Sequence, residues 1–571
     1  MSSPTPTPNP WLPQAAYAVP RHPAPVDLRL DGNEGLAPSD ALVGLLGELS
    51  PETLQRYPSP RRLEARLAER FDVDPECALV TAGGDEGLSR LCRAFLGPDR
   101  NLVLPEPSFE MIRRFAEETR AEVRSVAYDG SSYPTDQVLE ACDAETSVIA
   151  VVSPNNPTGG VISAQDLRRL SEGAPQAILM VDLAYVEFAE EDLTPVALEL
   201  PNAVVFRTFS KARGLAGLRV GYALGPARWL NVLRSVGLPY PVSAPALRLA
   251  EASLESPESV TQTVERLCAA RERLGAALLK AQVTAYPSQG NFVFARGVDG
   301  RWWRDALSGL GIGVRAWPGS ERLGDAVRIS CPGRAEDTDR VCEAIETITR
   351  PEALLFDLDG VLADVSQSYR TAIVETAARF GVSVSREQIE TLKARGDANN
   401  DWVVTWRLIN ELGGEASLDQ VTEVFEDLYQ GRGEADALYL RERLIGPRDV
   451  LASLKERLPL GIVTGRPRSD AERFLSDFEL DGLFEVVITM EDAPLKPDPA
   501  PVRRALEALG ARRAWMIGDT PDDVRSARAA SVLPVGVIAP GSPKPSTTET
   551  LLGAGAAVVL DRWDQLQERL P

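Results

Sequence analysis

Lys211 stands in the stretch RTFSKARGLAGLRVGY, between a Thr/Ser pair and a glycine-rich run that leads to an arginine. The chain has only six lysines among its 61 basic residues, so this position uses a residue that the protein otherwise rarely chooses. An arginine would serve a surface ion pair equally well. Lysine is required where an amine must lose its proton and attack a carbonyl, which a guanidinium cannot do. The stretch therefore predicts a lysine with a covalent role.

A second set of reactive side chains follows apolar strands in the second half of the chain. The segment LLFDLDGVLAD places Asp357 at the carboxyl end of a buried strand and Asp359 two residues later. Two carboxylates so placed can divide the work, one attacking as a nucleophile while the other donates and then withdraws a proton. Later strand ends carry a hydroxyl, a cation and two carboxylates able to share a metal ion, at Thr464, Lys496, Asp519 and Asp523. This set fits the handling of a phosphate group.

Short apolar strands alternate with amphipathic helical stretches along almost the whole chain, as in ALVTAGG, SVIAVVSP and AILMVDLAY. Such alternation predicts an α/β fold with a parallel sheet, in which ligands bind at the carboxyl ends of the strands. Near residue 350 a helical stretch stops at Pro351, and a new buried strand begins at once. A helix-rich insertion at about 363–445 then interrupts the second run of strands. We therefore expect two α/β domains joined without a low-complexity linker.

The composition argues against several classes of protein. The formal net charge of −22 has no basic run to offset it, which disfavours a nucleic-acid-binding protein. No apolar stretch approaches the ~20 residues that cross a membrane, and the N-terminal MSSPTPTPNPWLPQ lacks the basic and apolar parts of a signal peptide. Six scattered cysteines and a single histidine, His22, disfavour a zinc site or a Ser-His-Asp triad. We expect a cytoplasmic protein with reduced thiols.

The strand ends around Lys211 offer the parts of a cofactor site. GGDEG opens a helix whose backbone N–H groups, at Gly84 and Asp85, can bind a phosphate. Two hydroxyls, a guanidinium, a carboxylate, a phenol and an amide follow other strands, at Thr208, Ser210, Arg219, Asp182, Tyr185 and Asn156. A phosphate site, an amine and a buried carboxylate together suit pyridoxal phosphate, whose protonated ring acts as an electron sink. The segment SPNNPTG, which contains Asn156, also fits a simple turn.

These segments resemble the fold-type I pyridoxal-phosphate-dependent aminotransferases, in the order and spacing of SPNNPTG, VDLAY and TFSKARGLAGLRVGY. A finer resemblance, to the histidinol-phosphate aminotransferases, covers about residues 15–348 and rests also on LDGNEG, RYPSP, GGDE, PYPVSAPA, GNFVFAR and VRIS. The Pro/Thr-rich start of the chain predicts a flexible tail at 1–14, and the resemblance implies an aminotransferase at 15–350. Its large domain would span about 40–245, and its small domain would combine the N-terminal segment with about 246–350.

The resemblance also implies roles for single residues. Lys211 would hold the cofactor as a Schiff base and move a proton between substrate and cofactor. Asp182 would pair with the ring nitrogen, and Tyr185 and Asn156 with the phenolic oxygen. The ring would stack on Phe109, which also fits a plain core position. The cofactor phosphate would be bound by Arg219, Thr208, Ser210 and the amides of Gly84 and Asp85.

Contacts with the substrate and with a second subunit follow from the same resemblance. In this family the tyrosine of the RYP motif, here Tyr57, reaches the cofactor phosphate of the neighbouring subunit, so a homodimer is implied. Arg328 would bind the carboxylate or phosphate of the substrate. Further candidates for the substrate site are Arg315, Tyr17, Asn33 and Glu34. Arg315 fits a surface ion pair equally well, and LDGNEG departs from the commoner NENP form of its region.

The second set resembles the haloacid dehalogenase superfamily of phosphatases, with its four motifs in order over about residues 352–571. The resemblance implies a Rossmannoid domain at 351–571, with its core at 351–362 and 446–571 and an α-helical cap at about 363–445. The cap loop RGDANNDW, at 395–402, would either read the leaving group or only cap a helix at Asn400 or Asp401.

In this superfamily Asp357 would form an aspartyl-phosphate and Asp359 would act as general acid and base, while Thr464 and Lys496 would hold the phosphoryl oxygens. Mg²⁺ would be bound by Asp357, the Asp359 backbone carbonyl and Asp519, with Asp523 nearby. Dehalogenases of the superfamily lack an acid at the position of Asp359, so we expect a phosphatase. The absence of a Cys/His cluster separates it from the zinc-bearing histidinol phosphatases.

We expect a bifunctional enzyme. Its first domain would transaminate imidazole-acetol phosphate with glutamate, giving L-histidinol phosphate and 2-oxoglutarate, and its second would remove the phosphate, as successive steps of histidine biosynthesis. The alternative is an aminotransferase or pyridoxal-phosphate-dependent decarboxylase joined to a phosphatase of another amino-acid or specialised-metabolite pathway. A purely regulatory C-terminal domain is disfavoured, because the complete set of phosphatase motif residues is present.

Overall fold

The structure is a computed structural model that describes residues 9–12, 17, 19–395, 400–431 and 436–571. These residues divide into two compact units. The first contains Leu30–Gly300, Val314–Arg340 and the described residues up to Pro20. The second contains Arg21–Arg29, Arg301–Gly313 and the described residues of Val341–Pro571. No helix in the described part of the chain is long and apolar enough to cross a membrane.

Before Pro351 the strands of the described chain are β1 (Leu28–Leu30), β2 (Ala78–Thr81), β3 (Asn101–Glu106), β4 (Glu122–Ala127), β5 (Thr146–Val152), β6 (Ile178–Asp182), β7 (Ala203–Thr208), β8 (Gly221–Leu224), β9 (Thr284–Tyr286), β10 (Phe292–Arg296), β11 (Ile312–Ala316) and β12 (Ala326–Ser330). The helices are α1 (Asp40–Gly44), α2 (Pro51–Gln55), α3 (Arg61–Arg70), α4 (Gly84–Phe95), α5 (Glu110–Glu118), α6 (Thr135–Glu140), α7 (Ala164–Gly173), α8 (Thr194–Glu199), α9 (Ala227–Ser235), α10 (Ala244–Leu254), α11 (Pro257–Lys280), α12 (Gly300–Gly309) and α13 (Ala335–Thr349).

Seven of these strands form one sheet in the order β2-β8-β7-β6-β5-β3-β4, parallel except for β8, which runs antiparallel to both neighbours. The strands are apolar along most of their length because separate buried clusters cover the two faces of the sheet. In the register, Asp182 lies opposite Val152 of β5 and Phe206 of β7. The ends of these three strands therefore place their following loops side by side. A second sheet has the order β1-β11-β12-β10-β9.

After Pro351 the strands are β13 (Ala353–Phe356), β14 (Ala363–Asp364), β15 (Arg443–Leu444), β16 (Leu460–Val463), β17 (Val486–Ile488), β18 (Ala514–Gly518), β19 (Leu533–Val537) and β20 (Val558–Leu560). The helices are α14 (Tyr369–Arg379), α15 (Arg386–Arg395), α16 (Asp401–Glu411), α17 (Leu418–Gln430), α18 (Arg448–Arg457), α19 (Arg468–Asp477), α20 (Ala500–Leu509), α21 (Pro521–Ala529) and α22 (Lys544–Ala554).

The sheet of the second unit is fully parallel, in the order β17-β16-β13-β18-β19-β20. Strand β13 lies between β16 and β18, so the loop after it opens at the centre of the carboxyl edge. Helices α14 to α17 form an insertion between β14 and β15, and these two short strands pair antiparallel where the chain enters and leaves the insertion. The predicted α/β fold class is confirmed in both units.

Trp515 ties strand β18 to segments that lie outside the run of strands after Pro351. Its side chain is fully buried, and its Nε1 donates a hydrogen bond to the carbonyl oxygen of Thr347 at 2.8 Å. Its ring centre lies 5.4 Å from that of Trp302. All three residues belong to the second unit. The packing of its central sheet therefore depends on residues that precede Pro351.

Replacing Trp515 by alanine should lower the free energy of unfolding of the second unit by about 3–5 kcal/mol, because a large buried ring is lost and a cavity remains. Urea unfolding followed by far-UV circular dichroism measures this as a lower urea midpoint for the transition of the second unit. Trp515→Phe, which keeps a six-membered aromatic ring and loses the pyrrole ring with its N–H donor, should give a clearly smaller shift. An alanine variant that unfolds at the same urea concentration as the wild type would contradict the packing role.

Candidate active sites

Lys211 lies in a cavity of about 880 Å³ in the first unit, at the carboxyl ends of β5, β6 and β7. Its Nζ donates a hydrogen bond to the carbonyl oxygen of Gly32 at 3.1 Å and lies 5.4 Å from the centre of the Tyr185 ring. The sequence-predicted residues that line this cavity are Tyr17, Glu34, Gly84, Asp85, Phe109, Asn156, Asp182, Tyr185, Thr208, Ser210, Lys211, Arg219, Arg315 and Arg328. The structure thus gathers residues that are up to about three hundred positions apart in the sequence.

Two further predicted residues do not line the cavity. Asn33 is buried beside it, and its Nδ2 donates to the Tyr185 hydroxyl at 3.1 Å, so it fixes the phenol. Tyr57 is 81% exposed, and its ring stacks on Tyr240 with 4.6 Å between ring centres. This exposure leaves Tyr57 accessible to a second subunit, and its role stays a prediction.

One end of the cavity is built to take a phosphate. Helix α4 begins at Gly84, and its free N–H groups and dipole favour an anion at this point. Space is kept by glycine, since a Cβ at Gly221 would lie 2.5 Å from the carbonyl carbon of Gly83. On the other side of this end of the cavity, the Thr208 hydroxyl donates a hydrogen bond to the Ser210 hydroxyl oxygen at 2.9 Å.

Arg219 completes this end of the cavity. It adopts a left-handed backbone conformation with φ 53°, and its Nη2 donates to Asp85 Oδ2 at 3.1 Å. A positive φ is uncommon for a residue with a side chain, and here it turns the guanidinium back toward the start of α4. Helix N–H groups, hydroxyls and a guanidinium together fit the phosphate of pyridoxal phosphate.

Asp182 ends β6 with its carboxylate buried in the cavity wall. Burial raises the pKa of Asp182 to about 7, although the amide N–H of Ala184, donating at 3.1 Å, favours the charged form. A cationic ring nitrogen placed beside this carboxylate would restore its charge. The site thus fits the pyridine ring of the cofactor as well as its phosphate.

Two buried arginines meet at the other end of the cavity. Arg328 on β12 and Arg315 on β11 lie opposite each other in the register of the two strands. Arg328 donates from Nη1 to Asn156 Oδ1 and from Nη2 to the carbonyl oxygen of Asp31, both at 2.5 Å, and burial lowers its pKa. Arg315 pairs with Glu110 at 3.0 Å. Two adjacent guanidinium groups suit a substrate with a carboxylate or a phosphate.

Sequence reasoning missed two features of this cavity. Asn155 is buried and holds the SPNNPTG turn, because its Nδ2 donates to the Pro107 carbonyl at 2.9 Å and to the Thr158 hydroxyl at 2.8 Å. The same segment therefore is a turn and also presents Asn156 to the cavity. The second feature is Arg322, whose Nη1 donates a hydrogen bond to Glu106 Oε2 at 2.5 Å. Both residues line the cavity, and no sequence motif predicts Arg322.

The second site lies at the carboxyl edge of the parallel sheet in the second unit. Asp357 directly follows β13, and Lys496 donates to its Oδ1 at 2.7 Å and to the Val463 carbonyl at 3.0 Å. Lys496 also pairs with Asp523, and all three charged side chains are buried. Burial opposes the charge on Lys496, but the two carboxylates outweigh it and raise its pKa.

Three carboxylates converge here. One oxygen from each of Asp357, Asp519 and Asp523 lies within 4.8 Å of the others. Burial, and next the charge of Asp523, raise the pKa of Asp519 to about 7. Within the described residues Asp519 Oδ1 accepts no hydrogen bond. One lysine does not balance three carboxylates, two of them buried and Asp519 half-buried, whereas a hard divalent cation with oxygen ligands does, so the site fits Mg²⁺.

Asp523 is held by its own helix. It is the third residue of α21, and its Oδ2 accepts hydrogen bonds from the backbone N–H and the hydroxyl of Thr520. A capping box of this kind fixes the start of the helix, and with it the position of Asp519 in the preceding residues. Asp519 and Asp523, which are four residues apart in the sequence, therefore lie in a connection from β18 to α21 whose geometry the capping box fixes.

The remaining predicted residues flank this cluster. Thr464 follows β16, is buried, and accepts a hydrogen bond from the Arg466 amide at 3.2 Å. Asp359 is not part of this cluster, and its Oδ1 accepts a hydrogen bond from Arg466 Nε at 2.6 Å. Sequence reasoning missed Arg466, although it lies inside the GIVTGRP motif. Arg466 also pairs with Glu442 at 3.1 Å, and Glu442 lies in no sequence motif that would have predicted this role.

The predicted cap loop is described only in part, since residues 396–399 lie outside the described residues. Asn400 is the N-cap of α16, where its Oδ1 accepts from the Trp402 and Val403 amides at 3.0 and 3.2 Å. Asp401 pairs with Lys393 at 2.7 Å. The structure therefore shows the helix cap at Asn400, and the recognition of a leaving group by this loop stays a prediction.

Two protein families match separate parts of this chain. The aminotransferase class I and II family matches residues 29–345, which is more than half of the chain. The chain belongs to the class I and II aminotransferases. Haloacid dehalogenase-like hydrolases match residues 354–537. The protein thus carries an aminotransferase domain followed by a haloacid dehalogenase-like hydrolase domain, and both resemblances seen in the sequence are confirmed.

Two relatives and one solved structure are similar to this chain. Histidinol-phosphate aminotransferase of Cronobacter sakazakii is 38% identical over 309 residues, which cover 52% of this chain and 85% of that protein. Imidazoleglycerol-phosphate dehydratase of Phytophthora nicotianae is 46% identical over 225 residues, but the chain spans only half the length of that relative. A solved structure of a putative histidinol-phosphate aminotransferase from Erwinia carotovora atroseptica is 25% identical, with a TM-score of 0.53, and the match covers 57% of this chain and 97% of that one.

Proposed function

We propose that this aminotransferase is bifunctional, and that its second unit acts on the phosphorylated product of its first unit. The first unit would transfer an amino group between glutamate and imidazole-acetol phosphate, giving 2-oxoglutarate and L-histidinol phosphate. The second would hydrolyse the phosphate ester of L-histidinol phosphate with Mg²⁺. Relatives named histidinol-phosphate aminotransferase and imidazoleglycerol-phosphate dehydratase support a place in histidine biosynthesis.

The observation that carries the substrate assignment is the Arg315–Arg328 pair in the Lys211 cavity. Two buried guanidinium groups match the two negative charges of a phosphate monoester or the carboxylates of glutamate. The same pair would therefore bind both substrates in turn. Glu110, which pairs with Arg315 at 3.0 Å, would be displaced when the substrate's anionic group enters.

Each residue of the first site has a defined task. Bound pyridoxal phosphate supplies an electron sink for the carbon that loses its proton. Lys211 would take this proton from the substrate carbon and pass it to the cofactor carbon, because its side chain lines the cavity and an amine, unlike a guanidinium, can act as a base. Asp182 holds a proton on the ring nitrogen, and Tyr185, held by Asn33, orients the phenolic side. Phe109 and the α4 terminus fix the ring and the phosphate.

In the second site Asp357 attacks phosphorus while the ester P–O bond breaks, and Asp359 gives a proton to the departing oxygen. Water then attacks the phosphoryl group on Asp357, Asp359 takes back a proton, and the Asp357 carboxylate is regenerated with inorganic phosphate. Lys496 and Thr464 bind phosphoryl oxygens. Asp357, Asp519, Asp523 and the Asp359 carbonyl would hold Mg²⁺, which offsets charge on the phosphoryl group.

We further propose a cytoplasmic homodimer formed through the aminotransferase unit. The support is Tyr57, whose ring is exposed and stacks on Tyr240, so that it is accessible to a second subunit. Sedimentation of the wild type against Tyr57→Ala, with cofactor affinity measured in both, separates a dimer contact from a cofactor contact.

The test of the substrate is inorganic phosphate release with Mg²⁺ from L-histidinol phosphate, phosphoserine, phosphothreonine and phosphoglycolate. We expect L-histidinol phosphate to exceed the others in kcat/KM by about tenfold or more, the range that pocket contacts provide. The coupled control starts from imidazole-acetol phosphate and glutamate, where phosphate should appear only after amino transfer. If another ester is turned over and L-histidinol phosphate is not preferred, the proposed place in histidine biosynthesis would be wrong.

A further inference from the structure

Arg466 is a buried cation that the phosphatase chemistry above does not use. It follows Thr464 by two residues, and its side chain is 1% exposed. Its Nε donates to Asp359 Oδ1 at 2.6 Å, and its Nη2 lies 2.6 Å from the same oxygen. Its Nη1 donates to Glu442 Oε2 at 3.1 Å. The guanidinium thus bridges two carboxylates from different parts of the second unit.

The surroundings fix the plane of this guanidinium. Its central carbon lies 5.0 Å from the ring centre of Tyr369, the first residue of α14, and 5.4 Å from that of Phe474 on α19. Glu442 is anchored separately, because its Oε1 accepts hydrogen bonds from Ser368 at 2.9 Å and Tyr429 at 3.0 Å. Arg466 is therefore held on three sides and has little rotational freedom.

Stability alone does not account for this arrangement. Replacing a buried ion pair or triad by apolar residues is often neutral or stabilising, since desolvation offsets the attraction. The two carboxylates also differ in what they need. Glu442 has other donors, whereas the described residues give Asp359 a hydrogen bond only at Oδ1 and leave Oδ2 without one. One oxygen of Asp359 is fixed, and the other stays available.

We propose that Arg466 is the positioning residue for Asp359. By donating from Nε to Oδ1, with the positive charge of Nη2 2.6 Å from the same oxygen, it sets the rotation of the carboxylate, so that Oδ2 faces the ester oxygen of the substrate. A guanidinium can do this and a single ammonium cannot do it as well. The inference rests on the proposed role of Asp359 as general acid: the proton on Oδ2 passes to the leaving oxygen as the P–O bond breaks, and Oδ2 takes a proton from the attacking water.

The test uses the dependence of rate on the leaving group, in the full-length chain with Mg²⁺. p-Nitrophenyl phosphate releases a stable phenolate and needs little protonation, whereas an alkyl phosphate releases an alcohol and needs the general acid. The alkyl substrate is whichever ester of the phosphate-release panel is turned over fastest. For Arg466→Met we expect kcat on the alkyl ester to fall by about 10²-fold, with only a few-fold loss on p-nitrophenyl phosphate. Arg466→Lys should lie between Arg466→Met and the wild type.

A second readout separates positioning from phosphate binding. Inhibition by inorganic phosphate should be unchanged in Arg466→Met, because Lys496 and Thr464, and not Arg466, are placed for the phosphoryl oxygens. Equal losses on both substrates, or weakened inhibition by phosphate, would overturn the inference. The matched control is Arg468→Met, a residue 43% exposed that pairs with Asp492 at 2.5 Å, and both rates should stay at the wild-type level.

Two more variants keep the outcome decisive. Removing Arg466 leaves Glu442 without its cation, so the pair Arg466→Met/Glu442→Gln tests the same selectivity with both charges gone if the single variant fails to fold. Asp359→Asn measures the general acid directly. If Asp359→Asn lacks the selective loss on the alkyl ester, the proposed role of Asp359 fails; if Asp359→Asn shows it and the Arg466 variants do not, only the positioning role fails.

Discussion

Lys211→Arg should abolish amino transfer, by about 10⁴-fold or more, while phosphate release from added L-histidinol phosphate stays at the wild-type rate. The guanidinium keeps the positive charge and most of the length of the side chain. It cannot lose its proton under the conditions of the reaction, so it can neither bond covalently to a cofactor aldehyde nor act as the base. The visible absorbance of the covalently bound cofactor should disappear with the activity.

The measurement combines three readouts on one preparation: the absorbance after pyridoxal phosphate is added and the excess removed, the formation of glutamate from L-histidinol phosphate and 2-oxoglutarate, and phosphate release. The matched control is Lys280→Arg, at the exposed end of α11 and outside the cavity lining. It should leave all three unchanged. Amino transfer that survives in Lys211→Arg would remove Lys211 from its assigned role.

Much of both sites is predictable because it lies at strand ends. Asp182, Thr208 and Asp357 each close or follow a short apolar strand, and neighbouring parallel strands bring such ends to one edge of a sheet. The alternation of apolar and polar residues is a local signal, readable without knowing the fold. Asn156 and Lys496 also lie in loops that follow a strand, four residues after the end of β5 and eight residues after the end of β17.

Residues that act through other residues were not predictable in this way. Arg466 and Glu442 meet only when the connection after β16 folds against the entrance and exit of the helical insertion. The role of Arg322, which reaches Glu106 from a position 216 residues away, is likewise set by tertiary packing. The inclusion of Arg301–Gly313 in the second unit has no sequence signal either, since α12 reads as an ordinary amphipathic helix.

The two sites share one electrostatic design. In each, burial raises the pKa of a carboxylate, at Asp182 and at Asp519, to about 7. A carboxylate kept at that pKa binds a proton or a cation more readily than an exposed one does. Asp182 is thereby suited to a protonated ring nitrogen, and Asp519, beside two other acids, to a divalent metal ion. A carboxylate whose pKa is raised by burial thus suits a cofactor in the first unit and a metal ion in the second.

Asp357→Asn should abolish phosphate release by about 10⁴-fold or more and leave amino transfer intact. Asparagine has nearly the shape of aspartate, but its neutral amide is a poor nucleophile for phosphorus. Lys496 keeps Asp523 as a partner, so the buried ion pair that organises the site is not lost. The expected loss is therefore chemical rather than structural, and thermal unfolding should show a folded second unit.

The chain supplies its own control for this variant, because amino transfer and phosphate release are measured on the same molecules. A matched substitution is Asp364→Asn on β14, a carboxylate outside the acidic cluster whose Oδ1 accepts from the Ser366 amide at 3.0 Å. It should retain phosphate release. Wild-type release in Asp357→Asn would require a nucleophile other than Asp357. Loss of amino transfer as well would indicate unfolding of the chain, so the loss of release would no longer support the nucleophile assignment.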